Sequence, residues 1–73
     1  MGNNMTLQEI VLQNINLYHP EPVKLSFLHA SILEETEKVD NAIDKLVKLG
    51  EIESAIINHG LYYKLKVHEP AGA

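Results

Sequence analysis

The chain has 73 residues, which is room for one small domain. Hydrophobic residues make up 45% of it and charged residues 22%, close to the globular average, so the composition argues against a disordered chain. The absence of cysteine excludes a disulfide scaffold and a zinc–thiolate site. The formal net charge of −4, with six lysines and no arginine, is unusual for a nucleic-acid binder. No apolar run is long enough to span a bilayer and no signal peptide is recognisable, so we expect a cytoplasmic location without a membrane partner.

The first predicted helix begins with a capping box, in which Thr6 and Glu9 satisfy each other's backbone amides. Prolines 20 and 22 predict its end, because the residue before a proline avoids the helical region. We expect an apolar stripe to face the core: Leu7, Ile10, Val11, Leu17 and Tyr18, with Ile15 at its edge. Asn14 interrupts this stripe, and we expect its amide to bond to the nearby backbone. A homodimer through this helix, involving Leu12 and Asn14, remains the alternative.

Two further helices follow a short β-prone run at residues 23–25. Ser26 is predicted to cap the second helix, residues 27–33, and Thr36 to cap the third. The third helix is expected to reach Leu49 and to end at Gly50 in a left-handed conformation. Its predicted inward positions are Val39, Ile43, Leu46 and Leu49, with Ala42 and Val47 beside them.

Residues 51–57 and 61–67 are predicted strands, joined by a hairpin turn at residues 58–60. Alternation along the second strand separates two faces. One face carries Leu61, Tyr63, Leu65 and Val67, and the other carries Tyr62, Lys64, Lys66 and His68.

This order of elements resembles the winged helix-turn-helix family. The resemblance is carried by Val39, Ile43, Leu46, Gly50 and Ile52, and then by Tyr63 and Leu65 on the return strand. It implies a small α+β domain, a three-helix cluster with a C-terminal β-hairpin wing in the order α-β-α-α-β-β, over residues 6–67. Residues 1–5 and 68–73 are expected to be flexible ends. The alternative is a three-helix bundle with a loose β tail.

Nothing in the sequence predicts catalysis. There is no P-loop, dinucleotide-binding motif or nucleophile motif, and the four histidines lack metal-ligand spacing. We expect no enzyme activity, cofactor or metal. His29 is expected to be a partly buried, hydrogen-bonded histidine.

The resemblance implies that the third helix enters the DNA major groove and that the wing lies along the backbone. The main expectation is therefore a DNA-binding factor in transcription regulation, with double-stranded DNA as its partner, and protein binding is the alternative. The nucleic-acid-binding residues expected on this basis are Thr36, Lys38, Asn41, Lys45, Lys48, Lys64 and Lys66. Asn41 would read an adenine edge, and the lysines would neutralise phosphates.

The acidic charge favours a second hypothesis, a winged helix that binds protein instead of DNA. Winged helices of this kind keep the fold without a basic reading face. The natural partner is a basic helical peptide. The expected contact residues are Glu37, Asp40 and Asp44 on the helix, with Ile57 and Tyr62 on the hairpin.

Overall fold

The computed structural model describes residues 5–66. The elements are α1 (Leu7–Leu17), β1 (Val23–Lys24), α2 (Leu25–Ser31), α3 (Thr36–Lys48), β2 (Ile52–Ile57) and β3 (Gly60–Leu65). This α+β fold and its α-β-α-α-β-β order were predicted from the sequence, and the structure confirms them. Among the predicted features, Val67, His68 and the ends at residues 1–4 and 68–73 lie outside the described residues.

The N-terminus of α1 is formed as predicted. The Glu9 N–H donates to Thr6 Oγ1 at 3.2 Å, and the Thr6 N–H donates to Glu9 Oε1 at 2.8 Å. The Asn14 Nδ2 donates to the carbonyl of Ile10 at 2.9 Å, which confirms the expected side chain–backbone bond.

The predicted apolar stripe of α1 was placed too far round the helix. Its centre is Val11 and Ile15, both fully buried, so Ile15 is not an edge residue. Leu17 was predicted to face inward but is 72% exposed, because it lies roughly 160° around the axis from Ile15. Tyr18 is also exposed, and its ring packs edge-on against Phe27 with centroids 5.4 Å apart.

The second helix begins earlier than predicted. Its N-cap is Lys24 and no side chain caps it, so Ser26 lies within α2 instead of preceding it. The physical reason is the strand before it: β1 pairs with β3 and delivers the chain directly into the helix at Leu25.

Both predicted ends of α3 need correction. Thr36 is the first helical residue, and the N-cap is Glu35, without a side-chain hydrogen bond. Leu49 was expected to face inward but is 64% exposed. Gly50 does close the helix with φ +78°, as predicted, and this turn brings Ile52 into the core in place of Leu49.

The sheet has three antiparallel strands in the order β1-β3-β2. Val23 pairs with Tyr63, and Ile57 pairs with Gly60, so the hairpin loop consists of Asn58 and His59 alone. Both loop residues have positive φ, 49° and 68°, as a type I′ turn requires. Gly60, predicted to belong to the turn, is the first residue of β3.

The core lies between the helices and one face of the sheet. Its buried side chains are Val11, Ile15, Val23, Leu28, Ile32, Val39, Ala42, Ile43, Leu46 and Ile52. Tyr63 and Leu65 pack against this cluster from β3, on the face predicted by the alternation. Packing of the hairpin on the helices removes the alternative of a helical bundle with a loose β tail.

No helix within residues 5–66 combines the length and the apolar character that crossing a membrane would take.

Candidate functional site

The third helix carries two chemically different flanks. Positions 40, 43, 44 and 47 follow helical spacing and face the hairpin, and we call them the hairpin flank. Positions 38, 41 and 45 lie on the other side, next to the N-terminus of α1, and we call them the α1 flank. Between the two flanks, Val39, Ala42 and Leu46 anchor the helix in the core, together with Ile43, the buried member of the hairpin flank.

An open groove of about 470 Å³ separates the hairpin flank from the sheet. Its lining combines apolar side chains from three elements with two carboxylates from α3. The lining residues are Leu25, Asp40, Ile43, Asp44, Val47, Ser54, Leu61 and Tyr63. Val47, which lines this groove, is 38% exposed.

The carboxylates of the hairpin flank make the groove electronegative. Asp40 Oδ1 lies 2.7 Å from Nε2 of the part-buried His29, which confirms the expected hydrogen bond of that histidine. Burial raises the pKa of the Tyr63 hydroxyl above its ordinary value, and the charges of Asp40 and Asp44 raise it further. The negative potential therefore reaches the tyrosine in the groove wall.

The α1 flank is polar and basic. Lys38, Asn41 and Lys45 line a shallow depression of about 240 Å³ together with Thr6 and Gln8. Lys38 Nζ lies 3.9 Å from Glu35 Oε1. Between residues 5 and 66, neither Asn41 nor Lys45 has a side-chain hydrogen bond or ion pair.

The other residues expected to bind nucleic acid do not join this depression. Lys48 forms an ion pair with Asp44, four residues before it on α3, at 3.1 Å. Lys64 pairs with Glu53 across the hairpin, at 3.8 Å, on the sheet face opposite the core. Lys66 is exposed at the end of β3, and Thr36 is exposed at the start of α3.

The residues expected to bind protein are also divided. Asp40 and Asp44 line the groove, and Glu37 is exposed one turn nearer the start of α3. Ile57 and Tyr62 lie on the outer face of the sheet, as predicted, but this face is turned away from the groove. The structure thus brings the two aspartates together with Val47 and Leu61 instead.

The groove was not predicted because Val47 and Leu61 were assigned to the core together with Ile43, and of these three Ile43 is the buried core residue. The i, i+3, i+4, i+7 pattern of Asp40, Ile43, Asp44 and Val47 was the available signal. It places two acids and two apolar residues on one flank, an arrangement suited to a partly covered surface.

No protein-family model matches the sequence, and no curated protein is significantly similar to it. In the described part of the chain, no group of three or more His, Asp or Glu side chains is arranged to hold a metal ion.

Proposed function

We propose that the chain is a non-enzymatic winged-helix protein that binds a basic segment of another protein in the groove between α3 and the hairpin. One observation carries this proposal: Asp40 and Asp44 share that groove with an apolar surface formed by Ile43, Val47 and Leu61. An apolar floor with carboxylates beside it suits a segment that presents aliphatic side chains together with Lys or Arg.

The winged-helix assignment is part of the proposal. Its support is the element order and the three-stranded sheet, in which β1 pairs with β3 beside the hairpin. The residues that carry the resemblance also occupy consistent places, since Val39, Leu46 and Ile52 are buried and Gly50 has positive φ.

Charge placement favours protein over DNA. In the DNA-binding arrangement that the resemblance implies, a duplex lies against α3 with the wing beside it. Here the space between α3 and the wing carries Asp40, bonded to His29, and Asp44, paired with Lys48, and carboxylates at this place repel phosphates within about 8 Å at physiological salt. Three of the expected DNA-contacting lysines are also paired with carboxylates: Lys38, Lys48 and Lys64.

Duplex DNA is the second candidate, and the α1 flank is the observation that favours it. Lys38, Asn41 and Lys45 form a continuous polar-basic surface on the helix that would enter the major groove. If this candidate is correct, Lys45→Ala or Lys64→Ala weakens binding about equally on all sequences and flattens its salt dependence. Asn41→Ala then relaxes the preference at one base pair. Unchanged affinity in all three variants removes the DNA proposal.

Charge reversal in the groove tests the protein-binding proposal. We expect the double variant Asp40→Lys, Asp44→Lys to lose capture of a synthetic Lys/Val peptide, because the groove then repels it. The double variant Asp40→Asn, Asp44→Asn is the finer test, because it removes the charge and keeps an amide oxygen that can accept a bond from His29. Binding is measured by fluorescence anisotropy with a labelled peptide.

A matched control separates groove chemistry from net charge. Glu21 and Glu34 are exposed carboxylates outside the groove, and Glu21→Lys with Glu34→Lys changes the total charge by the same amount. We expect this control to keep most of the affinity, and thermal melts to show all variants folded. If the groove variant and the control variant lose equal affinity for the peptide, net charge alone explains the loss and the proposal is contradicted.

A further inference from the structure

The strand β2 has a free edge. In the order β1-β3-β2 it has a neighbour on one side only, within the described residues. The Lys66 N–H donates to the Glu51 carbonyl at 3.0 Å, which identifies these two residues as a hydrogen-bonded pair of the ladder. Since bonded and non-bonded pairs alternate in an antiparallel ladder, the backbone N–H and C=O groups of Ile52, Ser54 and Ile56 point to the free edge.

This edge has little of the usual protection against pairing, since its one charged residue, Glu53, is paired with Lys64 of β3. Edge strands are commonly blunted by lysines, prolines or bulges. The six residues of β2, IESAII, contain none of these, and their pairing with β3 is continuous. Ile56 is 72% exposed, so the strand also presents apolar surface beside its free backbone groups.

Ser54 connects the edge to the groove. Its side chain lines the groove, while its backbone N–H and C=O point away from β3. Side chains alternate between the two faces of a sheet, so a strand added to β2 places every second side chain on the groove face. The same segment can thus satisfy the backbone at the edge and contact the groove.

We propose that the basic partner segment binds in an extended conformation, as a fourth strand added to β2, with apolar residues alternating with Lys or Arg. This inference rests on the proposed function. Charge complementarity selects the occupant: a second copy of this chain would bring its own Asp40, Asp44 and net charge of −4 to an already acidic groove. A basic segment meets opposite charge there.

Amide hydrogen exchange, followed by NMR on the full chain, tests this binding mode. The probe is a synthetic peptide of about eight alternating Lys and Val residues, long enough to cover a strand like β2. At a free peptide concentration about ten times its Kd, we expect exchange at the Ser54 and Ile56 amides to slow about tenfold. The Ala55 and Ile57 amides, already bonded to β3, are internal controls that change much less.

A second peptide of the same composition, with valines at helical spacing, separates this inference from the proposed function. Binding of either peptide at the groove without slower exchange at Ser54 and Ile56 overturns strand addition and leaves the proposed function standing. Absence of binding by both peptides at low salt overturns the proposed function itself. Slower exchange that appears without peptide and grows with protein concentration identifies a second copy as the occupant and overturns the inference.

Variants at Ser54 give an independent readout. Ser54→Pro removes one edge N–H, at a position where an edge strand tolerates proline, and should abolish peptide binding. Ser54→Ala keeps the N–H and removes only the hydroxyl from the groove lining, so it is the reference against which the effect of the proline is measured. If Ser54→Pro and Ser54→Ala both fold and bind the peptide with equal affinity, strand addition is contradicted. If Ser54→Pro does not fold, the hydrogen-exchange experiment is the deciding test.

Discussion

The two flanks of α3 belong to one helix of 13 residues but differ in their charge and in the elements that lie beside them. The α1 flank lies against the N-terminus of α1 and carries Lys38, Asn41 and Lys45. The hairpin flank leaves a groove against the sheet and carries Asp40 and Asp44 beside Val47. The helix therefore separates its charges lengthwise, with the acidic side where an apolar surface is left open.

The net charge of the chain alone does not indicate which surface would bind a partner. The net charge of −4 is spread over the whole chain, and two of its carboxylates, Asp40 and Asp44, line the groove beside Val47 and Leu61. A partner gains most where burial of apolar area and charge complementarity act at the same place.

The largest expected effect is the loss of stability when a buried residue of α3 is truncated, compared with the smaller loss at a residue that lines the groove. Leu46 is 2% exposed, so Leu46→Ala should lower the free energy of unfolding by about 2–5 kcal/mol. Val47→Ala should cost less than about 1 kcal/mol, because Val47 is only partly covered. Urea denaturation of both variants measures the contrast. A Leu46→Ala variant as stable as the parent would show that the core face of α3 is drawn wrongly.

Truncating the groove wall should weaken peptide binding more than it weakens the fold. We expect Leu61→Ala to lower affinity for the Lys/Val peptide by about 1 kcal/mol, roughly fivefold, because Leu61 lines the groove. Tyr62→Ala and Ile57→Ala are matched controls on the outer face of the same hairpin. If these two lose more affinity than Leu61→Ala by fluorescence anisotropy, the binding surface is the outer sheet face instead.

Neutralising the α1 flank should leave peptide binding intact. Lys38→Ala with Lys45→Ala removes two exposed charges away from the groove, so we expect stability to change by less than about 0.5 kcal/mol. Affinity for the basic peptide should be retained, whereas any binding to duplex DNA should fall. A clear loss of peptide affinity in this variant would show that the peptide binds the α1 flank instead of the hairpin flank.

The smallest effect concerns Tyr63 and pH. Its pKa is raised in the folded state, so the folded protein holds this proton more tightly than the unfolded chain. The stabilisation is full below the ordinary pKa of about 10 and is lost as pH rises through the folded value. Tyr63→Phe should flatten the fall of stability on the alkaline side. An unchanged pH dependence in that variant would contradict the role of the buried hydroxyl.

The charges of Asp40 and Asp44 should also affect the titration of Tyr63. In the variant Asp40→Asn, Asp44→Asn we expect the pKa of Tyr63 to fall but to stay above its ordinary value, because burial is the larger cause. Ultraviolet absorbance of tyrosinate, with Tyr63→Phe subtracted to remove the signals of Tyr18 and Tyr62, measures the shift. No movement of the pKa would mean that the two charges do not reach the groove wall.

Much of the fold was predictable because its signals are local. The capping box at Thr6, the left-handed Gly50 and the alternation of Tyr63 and Leu65 each depend on a few neighbouring residues. The centre of the α1 stripe was not predictable in the same way, since an abundance of apolar residues leaves more than one stripe possible. Packing against β3 and α3 chooses Val11 and Ile15 over Leu17.

The candidate site was harder to predict because it is a groove that remains open between α3 and the sheet. Asp40 and Asp44 were identified from the sequence, but their neighbours across the groove come from β3 and α2. Leu61 reads as an ordinary inward residue of a strand, and only the spacing between α3 and the sheet leaves it accessible. The pairing of β1 with β3, which fixes that sheet, joins residues about 40 positions apart and has no local signature.

In the proposed mode of binding, the partner contacts the hairpin flank of α3 and not the α1 flank. An NMR titration of the full chain with the Lys/Val peptide, and separately with random-sequence duplex DNA at about 50 and about 200 mM salt, tests it most directly. We predict peptide-dependent amide shifts at Asp40, Asp44 and Tyr63, without DNA-dependent shifts. Salt-sensitive DNA shifts at Lys38, Asn41 and Lys45, with none from the peptide, would contradict the account.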